Sequence, residues 1–416
     1  MIYPMNGDSF REKHHGQIKE LAAYYRRHLL EDIMPFWEER VTDREQGGYF
    51  NCFERDGRLY SHIKPGWFVG RNIYTFSALY NTVEKRQKWL DIAEHGRAFL
   101  TDKALNASGR LNYMMERDGT AISGETSIFT DHFAVKGLFE YIEASGRKED
   151  LPLAGRLFDL LLKNISDGRV LANECHDVRF RKHPISFMTL LVAIEGKRFL
   201  GDAVIPVIDR ELHTTLYTFA DDTEKAPLEY VSAEGKPLYE SIGRIIDPGH
   251  TMESLWFSMR EGMERSDRRI VERAGEIVDW VIDRAWDNEY GGFYQNVDVC
   301  GTTPEKPFLS SKYAEMDVKW SDKIWWVQAE SLYTLALSAL LTGNERHFEY
   351  FLKLHQFCKD FFADARYGEW YSILHRDGKV KDVRKGFELK GPYHVPRSVM
   401  QLAVLFDKYS ASERLY

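Results

Sequence analysis

Cysteines are few in this sequence, blocks of basic residues are absent, and no apolar run approaches the length of a membrane span. The chain has four cysteines, namely Cys52, Cys175, Cys300 and Cys358. They lie far apart and form no CxxC pair, so we expect reduced thiols rather than a disulfide or zinc framework. The net charge of -8 argues against nucleic acid or an anionic membrane as a partner.

Signals for export and for cofactor binding are also missing. Residues 1–8 lack the basic and apolar regions of a secretory signal, which predicts a cytoplasmic protein. No glycine-rich nucleotide motif is present. His176 and His183 lack the i,i+4 spacing of a helical metal site. We therefore expect the protein to use neither a cofactor nor a metal.

Helical patterns dominate what is present. Across residues 14–39, apolar side chains recur every three or four positions. The predicted helices form pairs, at 67–85 with 88–105, 125–146 with 149–165, 182–199 with 203–220, 250–266 with 268–286, 321–343 with 344–363, and 394–409 with 12–39. No Pro-, Gly- or Ser-rich linker separates the pairs, so we predict one domain over residues 1–416.

A short composite of turn residues and aromatics recurs between the helices. Three clear copies begin at Asp43, Asp287 and Asp364, and a degenerate copy spans residues 109–119. Each clear copy combines glycine turns with a short strand candidate. Repeats with a fixed internal register indicate repeated supersecondary units. For the individual Asp and Gly residues, the sequence favours a structural role in hairpins that join helices.

Twelve helices in six pairs, joined by short strands, predict an all-α fold of the (α/α)6-barrel type with short β-hairpins. A curved open solenoid is the competing architecture. In a barrel, alternate helices form an inner ring and run parallel. Their N-termini and the preceding hairpins therefore gather at one end, where we expect the functional residues.

Ionisable residues stand near the start of each predicted inner helix. They are Arg71, Glu125, Asp131, His183, His250, Glu253, Glu330 and His394. Each lies among apolar or aromatic neighbours, and ionisable groups rarely enter such surroundings unless they are paired or functional. The pattern predicts a polar cavity with aromatic walls, which suits a sugar as the small-molecule partner.

Residues 247–253, Asp-Pro-Gly-His-Thr-Met-Glu, mark the start of a predicted helix. His250 lies at the helix N-terminus, and Glu253 lies one turn further along nearly the same face. An imidazole with a carboxylate neighbour can serve in acid/base chemistry. The alternative to a chemical role is a structural one. In that case the helix dipole stabilises the charge of Glu253 near the helix N-terminus, and His250 is an exposed side chain without a function.

His250 and His394 lie at the starts of different inner helices, where they could carry a proton to or from a carbon next to a carbonyl. Arg71 could stabilise the enediolate oxygen. Structural roles stay open for other candidates, namely His132, His176, His183 and Glu330, and a helix-start role stays open for His394. Trp325 and Trp326 cannot both face inward on one helix. We expect one of them to line the cavity and the other to pack.

Three stretches resemble signature sequences of the N-acylglucosamine 2-epimerase superfamily. They are Pro-Gly-His-Thr-Met-Glu at 248–253, Trp-Trp-Val-Gln-Ala-Glu at 325–330 and Pro-Tyr-His-Val-Pro-Arg at 392–397. Residues 67–71, residues 76–80 and the Gly-Gly-aromatic hairpins are similar as well. The matches run from about residue 43 to residue 397, so the resemblance covers nearly the whole chain.

The resemblance implies an (α/α)6 barrel that inverts C2 of a free reducing sugar without a cofactor, through an enediolate. It implies His250 and His394 as the acid/base pair. The supporting residues that it implies are Arg71, His183, Glu253, Glu330, Trp325 or Trp326, and Arg397. The motif contexts are closer to the N-acylglucosamine branch than to the cellobiose branch. Some members of that branch respond to ATP, and no residue pattern here indicates an ATP site.

Other functions stay open at this point. Aldose–ketose isomerisation of the mannose isomerase type, or 2-epimerisation of cellobiose or mannose, would use the same cavity. Glycoside hydrolysis would need two carboxylates, for which Glu253 and Glu330 are available. A non-enzymatic binding role would leave His250 and His394 without a chemical task. The oligomeric state is also open, with a homodimer as one alternative.

Overall fold

Helices make up most of the chain in the computed structural model, which describes residues 7–168, 180–304 and 316–411. The α-helices in these ranges are α1 (Gly7–Arg27), α2 (Met34–Glu38), α3 (Gly66–Thr82), α4 (Gln87–Phe99), α5 (Ile128–Ser145), α6 (Leu151–Ser166), α7 (His183–Leu200), α8 (Ile205–His213), α9 (Pro248–Glu264), α10 (Arg268–Ala285), α11 (Trp325–Thr342), α12 (Glu345–Phe357) and α13 (His394–Ser410). A π-helical turn, His28–Ile33, joins α1 to α2. Further π-helical turns follow α4, α8 and α12, at Leu100–Ala104, Thr214–Thr218 and Cys358–Phe362.

The predicted helix pairs are confirmed. The second helix of each pair packs on the first, so that α4 packs on α3, α6 on α5, α8 on α7, α10 on α9, α12 on α11, and α1 on α13. The first helices also contact one another in a cycle that runs α3, α5, α7, α9, α11, α13 and back to α3. We call these six the inner helices.

Burial separates the inner helices from the others. Every residue of α11 from Trp325 to Leu341 is buried, whereas α10 buries a single stripe of its surface. A helix that is apolar on all sides belongs in the interior, and an amphipathic helix covers it from outside. No helix within the described ranges is long and apolar enough to cross a membrane.

The strands are short and form small antiparallel sheets. They are β1 (Cys52–Phe53), β2 (Leu59–Ser61), β3 (Lys64–Pro65), β4 (Met114–Met115), β5 (Ala121–Ser123), β6 (Phe180–Lys182), β7 (Ala220–Asp221), β8 (Ala226–Pro227), β9 (Tyr230–Ser232), β10 (Ile245–Ile246), β11 (Val297–Asp298), β12 (Lys323–Ile324), β13 (Ile373–Leu374) and β14 (Val380–Asp382). Strands β3, β6, β10 and β12 lead into α3, α7, α9 and α11. Each pairs with a strand that precedes the next inner helix, as β3–β4, β6–β9, β10–β11 and β12–β13. The hairpins therefore tie the N-terminal ends of the inner helices together.

Each clear copy of the sequence repeat supplies a buried aspartate that binds one lysine and one arginine. The three ion-pair clusters are Asp43 with Lys64 and Arg117, Asp287 with Lys323 and Arg376, and Asp364 with Lys385 and Arg55. In every cluster the arginine begins an Arg-Asp-Gly turn in the next unit around the cycle of helices. The predicted structural role of these aspartates is confirmed, because they join neighbouring hairpins.

Cys52, Cys300 and Cys358 are free thiols. The predicted candidates Cys175 and His176 lie outside the described residues. Several helix boundaries differ from the sequence-based expectation; helix α11, for example, begins at Trp325 rather than near residue 321, because Lys323–Ile324 form β12. Helix α5 begins at Ile128 rather than near residue 125, because Ser127 has an extended backbone. Helix α9 begins at Pro248, since the backbone is extended up to Asp247 and proline is well suited to a first helical position.

Candidate active site

A cavity opens where the N-terminal ends of the inner helices meet. The space at this end, including its open mouth, amounts to about 1190 Å³. Each inner helix contributes a lining side chain from its first two turns, and these are Arg71, Phe129, Phe187, His250, Trp326 and His394. The aromatic-walled polar cavity expected from the sequence is therefore present at this end.

Trp326 lies between the two candidate catalytic histidines. Its ring centroid is 4.9 Å from that of His250 and 5.6 Å from that of His394. Gly249 makes this packing possible, because a Cβ there would lie 2.3 Å from the Trp326 ring. The Pro-Gly-His sequence thus lets the start of α9 approach the indole closely, and both imidazoles border the same part of the cavity.

His250 is surrounded by negative charge. The carboxylate of Asp247 caps α9 by accepting from the backbone N–H of His250 at 3.0 Å, and it lies 3.3 Å from Nδ1. Nδ1 also lies 3.2 Å from both carboxylate oxygens of Glu229. Burial alone would lower the pKa of His250, but Asp247 and Glu229 raise it to about 9. His250 is therefore protonated at neutral pH, and Nε2 is the nitrogen that remains for a ligand.

His394, in contrast to His250, is uncharged at neutral pH. Its Nδ1 donates to Glu330 at 2.8 Å, and Glu330 also accepts from Trp256 and Arg397. Burial, together with the positive charges of Arg71 and Arg397, holds the pKa of His394 well below its usual range. A neutral imidazole that donates through Nδ1 carries a free lone pair on Nε2, as a general base requires.

Arg397 organises the wall behind His394 without lining the cavity. Its guanidinium pairs with both Glu253 and Glu330, and it donates to the hydroxyl of Tyr393 at 2.7 Å. Arg397 is fully buried, so these carboxylates balance a charge that water does not reach. Glu253 reaches the cavity from this network.

Arg71 brings a positive charge to the aromatic side of the cavity. Its guanidinium lies 4.1 Å from the ring centroid of Phe133, 4.6 Å from that of Tyr393 and 5.1 Å from that of Trp67. These rings hold the planar group by cation–π contacts. A fixed cation beside the histidines is suited to an oxyanion that develops during a reaction.

The structure separates the predicted site residues into two groups. Arg71, His250, Glu253, Trp326 and His394 line the cavity. The others lie behind the cavity wall, and these are His183, Trp325, Glu330 and Arg397.

Two residues of the second group make apolar contacts rather than facing the cavity. Trp325 packs its ring at 5.4 Å from Phe387, so Trp326 is the tryptophan that faces inward. His183 lies between the rings of Phe187 and Phe219, and burial lowers its pKa to about 3. His183 does not line the cavity, where Pro184 and Phe187 lie in its place, so a supporting role for it stays a prediction.

The remaining candidates from the sequence have structural partners. Asp131 and Glu125 bind Arg110. His132 lies 3.0 Å from both the Ile128 carbonyl oxygen and the Thr189 hydroxyl. These contacts account for the ionisable groups at the start of α5, which the sequence placed near the cavity.

Sequence reasoning missed Glu229, which supplies half of the negative charge around His250. It lies between β8 and β9, 21 residues before His250, in no motif. Its position depends on hairpin contacts, since its backbone carbonyl accepts from His183 N–H and its N–H donates to Ile245. Lys182 and Gln295 also line the cavity and were not anticipated.

Within the described ranges, two groups of side chains have the donor atoms for a metal ion. They are Glu229 with Asp247 and His250, and Glu253 with Glu330 and His394. In both, the carboxylates already balance a cation, protonated His250 in the first and Arg397 in the second. A metal would have to displace these partners, so neither group is preorganised for one.

Comparison with known proteins identifies the family. The family model described as N-acylglucosamine 2-epimerase (GlcNAc 2-epimerase) matches residues 48–396. The chain belongs to the N-acylglucosamine 2-epimerase family. The resemblance seen in the sequence is thereby confirmed, and with it the predicted enzyme class, a carbohydrate epimerase or isomerase.

Known proteins and solved structures are similar to this chain over most of their length. N-acylglucosamine 2-epimerase of Mus musculus is 27% identical over 382 residues, with 88% of each chain covered. The structure of cellobiose 2-epimerase from Bacillus thermoamylovorans B4167 gives a TM-score of 0.78 at 18% identity, covering 94% of this chain and 100% of that one. That of a D-mannose isomerase gives 0.77 at 18% identity, covering 91% and 97%. The shared feature at these identities is the fold.

Proposed function

We propose that this family member is a sugar 2-epimerase of the N-acylglucosamine/N-acylmannosamine type, built as a single (α/α)6-barrel domain. The closed cycle of contacts among the inner helices supports the barrel over an open solenoid. The relative from Mus musculus supports the substrate type, because it is named for an N-acylated sugar.

One observation carries the proposal, namely two histidines that both contact the Trp326 ring in different electrostatic surroundings, with Asp247 and Glu229 beside His250 and the guanidinium of Arg397 beside His394. Two titratable groups whose surroundings push their pKa values apart are suited to acid and base roles. His394 is neutral and accepts a proton, whereas His250 is charged and donates one. Inversion at one carbon needs such a pair, with one group on each face of that carbon.

The reaction starts from the open-chain aldehyde, because only there does C2–H lie next to a carbonyl. Nε2 of His394 takes the C2 proton, and the electron pair of the C–H bond moves to form the C1–C2 double bond. The C1 oxygen thereby becomes an enolate oxygen, which Arg71 stabilises. His250 then protonates C2 from the opposite face, which restores the aldehyde with the configuration inverted.

Aldose–ketose isomerisation is the second candidate, supported by the structural similarity to a D-mannose isomerase. For a sugar with a C2 hydroxyl, the same first step gives an enediolate. Transfer of the hydroxyl proton from O2 to O1, with return of the carbon-bound proton to C1 instead of C2, then yields a ketose. The two outcomes differ in which carbon receives a proton, C2 from His250 in the epimerase or C1 from His394 in the isomerase.

Product analysis tests the proposal. N-acetylmannosamine, mannose, glucose and cellobiose are each incubated with the purified protein, and the products are identified by NMR. We expect N-acetylmannosamine to give N-acetylglucosamine as the main product. A ketose as the main product from mannose or glucose, with no 2-epimer from any sugar, would replace the epimerase with the isomerase. Cleavage of cellobiose would indicate a hydrolase.

The pH dependence of kcat/KM is expected to show His250 as the acid. Because the pKa of His250 is raised to about 9, activity should be level near neutral pH and fall about tenfold per pH unit above pH 9. Glu229→Gln removes one of the two charges that stabilise the imidazolium, so the alkaline limb should move down by about one unit. Glu234→Gln, which changes an exposed carboxylate after β9, should leave the profile in place. An alkaline limb that Glu229→Gln leaves unmoved would contradict this assignment.

A further inference from the structure

Tyr393 is the residue just before α13, and it is fully buried without lining the cavity. Its ring centroid lies 4.6 Å from the guanidinium carbon of Arg71 and 4.9 Å from the ring centroid of His394. Its hydroxyl accepts a hydrogen bond from Arg397 at 2.7 Å. The reaction described above gives Tyr393 no task, although all three neighbours belong to the active site or to the network behind it.

Four aromatic rings contact the guanidinium of Arg71. They belong to Trp67, Phe68, Phe133 and Tyr393, with centroids 5.1, 5.2, 4.1 and 4.6 Å from its carbon atom. Aromatic rings attract a cation within about 6 Å through their quadrupoles. Of these four rings, Tyr393 alone also contacts His394 within the described part of the chain. One side chain therefore connects the cation at the cavity with the imidazole that acts as the base.

The ring of Tyr393 is itself fixed by its neighbours. It packs edge-to-face against Phe133 at 5.5 Å and Tyr74 at 5.8 Å, and it stands nearly perpendicular to the ring of His394, at 82°. Arg397 holds the hydroxyl. A ring with these contacts has little freedom to rotate, so it gives its two partners at the cavity fixed positions relative to each other.

The backbone beside Tyr393 ties the start of α13 to the helix that carries Arg71. Thr75, one turn after Arg71 on α3, donates from its hydroxyl to the carbonyl oxygen of Pro392 at 2.7 Å. The carbonyl oxygen of Tyr393 accepts from the N–H of Arg397 at 2.8 Å, in the first turn of α13. The side chain and the backbone thus hold α3 and α13 together at the same place.

The reaction requires a fixed spacing of Arg71 and His394, because they act on adjacent carbons in one step. His394 takes the C2 proton while Arg71 stabilises the charge that develops on the C1 oxygen. We infer that Tyr393 is a positioning residue, which keeps the Arg71 guanidinium and the His394 imidazole at the spacing that these two atoms of the sugar require. This rests on the proposed function, from which both roles are taken. Misplacement of a catalytic group by about 1 Å lowers a rate about 10²-fold.

The test measures kcat and KM for variants on whichever of N-acetylmannosamine and mannose the wild-type protein epimerises faster. Tyr393→Leu removes the ring, so kcat should fall about 10²-fold. KM should change less than about threefold, because Tyr393 does not line the cavity. Tyr393→Phe keeps the ring contacts and removes only the hydroxyl, so it should retain kcat within about fivefold.

Tyr25→Leu is the matched control. Tyr25 is as deeply buried as Tyr393, and its hydroxyl likewise has a partner, Nδ1 of His355 at 2.8 Å, but it lies on the outer helix α1. Its replacement removes a buried ring of the same size far from the catalytic side chains. It should therefore leave kcat within about twofold.

A double-mutant cycle shows whether Tyr393 acts through Arg71. In an Arg71→Met background the guanidinium is already absent, so Tyr393→Leu should lower kcat further by less than about tenfold. The same 10²-fold loss in both backgrounds would overturn the inference. So would an equal loss for Tyr393→Phe and Tyr393→Leu, because it would assign the effect to the hydroxyl instead of the ring.

Circular dichroism checks that each variant folds. If Tyr393→Leu does not fold, Tyr393→Met, which fills more of the vacated space, replaces it in both comparisons. If the wild-type protein epimerises while the ring-deleted variant keeps kcat within about threefold, the inference about Tyr393 fails alone. If the wild-type protein exchanges no C2 hydrogen of any sugar, the proposed function itself fails.

Discussion

His394→Asn is expected to lower kcat for epimerisation by about 10²- to 10⁴-fold, the usual contribution of a general base. His394 is the neutral imidazole at the cavity, and its Nδ1 is already committed to Glu330. Asparagine keeps a donor that can reach toward Glu330 and is tolerated at a helix start. The fold should therefore survive while the proton acceptor is lost. Initial rates with N-acetylmannosamine, together with far-UV circular dichroism, measure both effects.

His62→Asn is the matched control. His62 is exposed in the hairpin region, where its ring contacts Phe50 and does not line the cavity. Its replacement should leave kcat within about twofold. If His394→Asn retains more than a tenth of the wild-type kcat, or loses it only because the chain no longer folds, His394 is not the base.

Asp287→Ala is expected to lower the free energy of unfolding by about 3–5 kcal/mol, the usual cost of breaking a buried ion pair. Asp287 and Lys323 are both fully buried and lie 3.0 Å apart, and Arg376 bonds the same carboxylate at 2.9 Å. Removing the carboxylate leaves the Lys323 ammonium buried without its counter-charge. Chemical denaturation, followed by tryptophan fluorescence, measures the loss.

Glu289→Ala is the control for Asp287→Ala, because Glu289 binds the same Arg376 at the surface. Exposed pairs contribute little, so the loss should stay below about 1 kcal/mol. Burial opposes ionisation of Asp287, but Arg376 and Lys323 hold its pKa well below the usual range. Its contribution should thus be complete above about pH 4 and fall away under more acid conditions. Equal losses for the two variants would show that the buried cluster adds nothing beyond a surface pair.

The inner helices could be predicted from the sequence because each begins after turn residues and continues as a long apolar segment. Their parallel arrangement then placed the side chains at their starts in one cavity. This reasoning placed Arg71, His250 and His394 at the cavity, which they line, and it left open which of Trp325 and Trp326 faces inward. It depends only on helical periodicity and on the order of elements along the chain, and both are local properties of the sequence.

Contacts made by hairpins could not be predicted in the same way. Glu229 reaches His250 because β6 pairs with β9 and the Glu229 backbone bonds His183, just after β6, and Ile245, in β10. A shift of one residue in these short strands would turn a different side chain toward the cavity. The orientation of His183 could not be predicted for the same reason. His183 lies at a helix start as predicted, but its ring packs against Phe219.

The repeats have a consequence for function as well as for stability. The ion-pair clusters of Asp43, Asp287 and Asp364 fix the hairpins next to the inner-helix starts, where the catalytic side chains lie. Acid/base catalysis needs both imidazoles held in position relative to one carbon. We therefore expect these buried ion-pair clusters to keep the two catalytic imidazoles in position by fixing the hairpins beside them.

Deuterium incorporation tests the central claim most directly. The protein is incubated with N-acetylmannosamine in deuterated water, and the N-acetylglucosamine formed is examined by NMR and mass spectrometry. His394 removes the C2 proton and His250 delivers one drawn from solvent, so the product should carry one deuterium, at C2. Product that retains its original C2 hydrogen would contradict proton transfer between two histidines on opposite faces of the sugar.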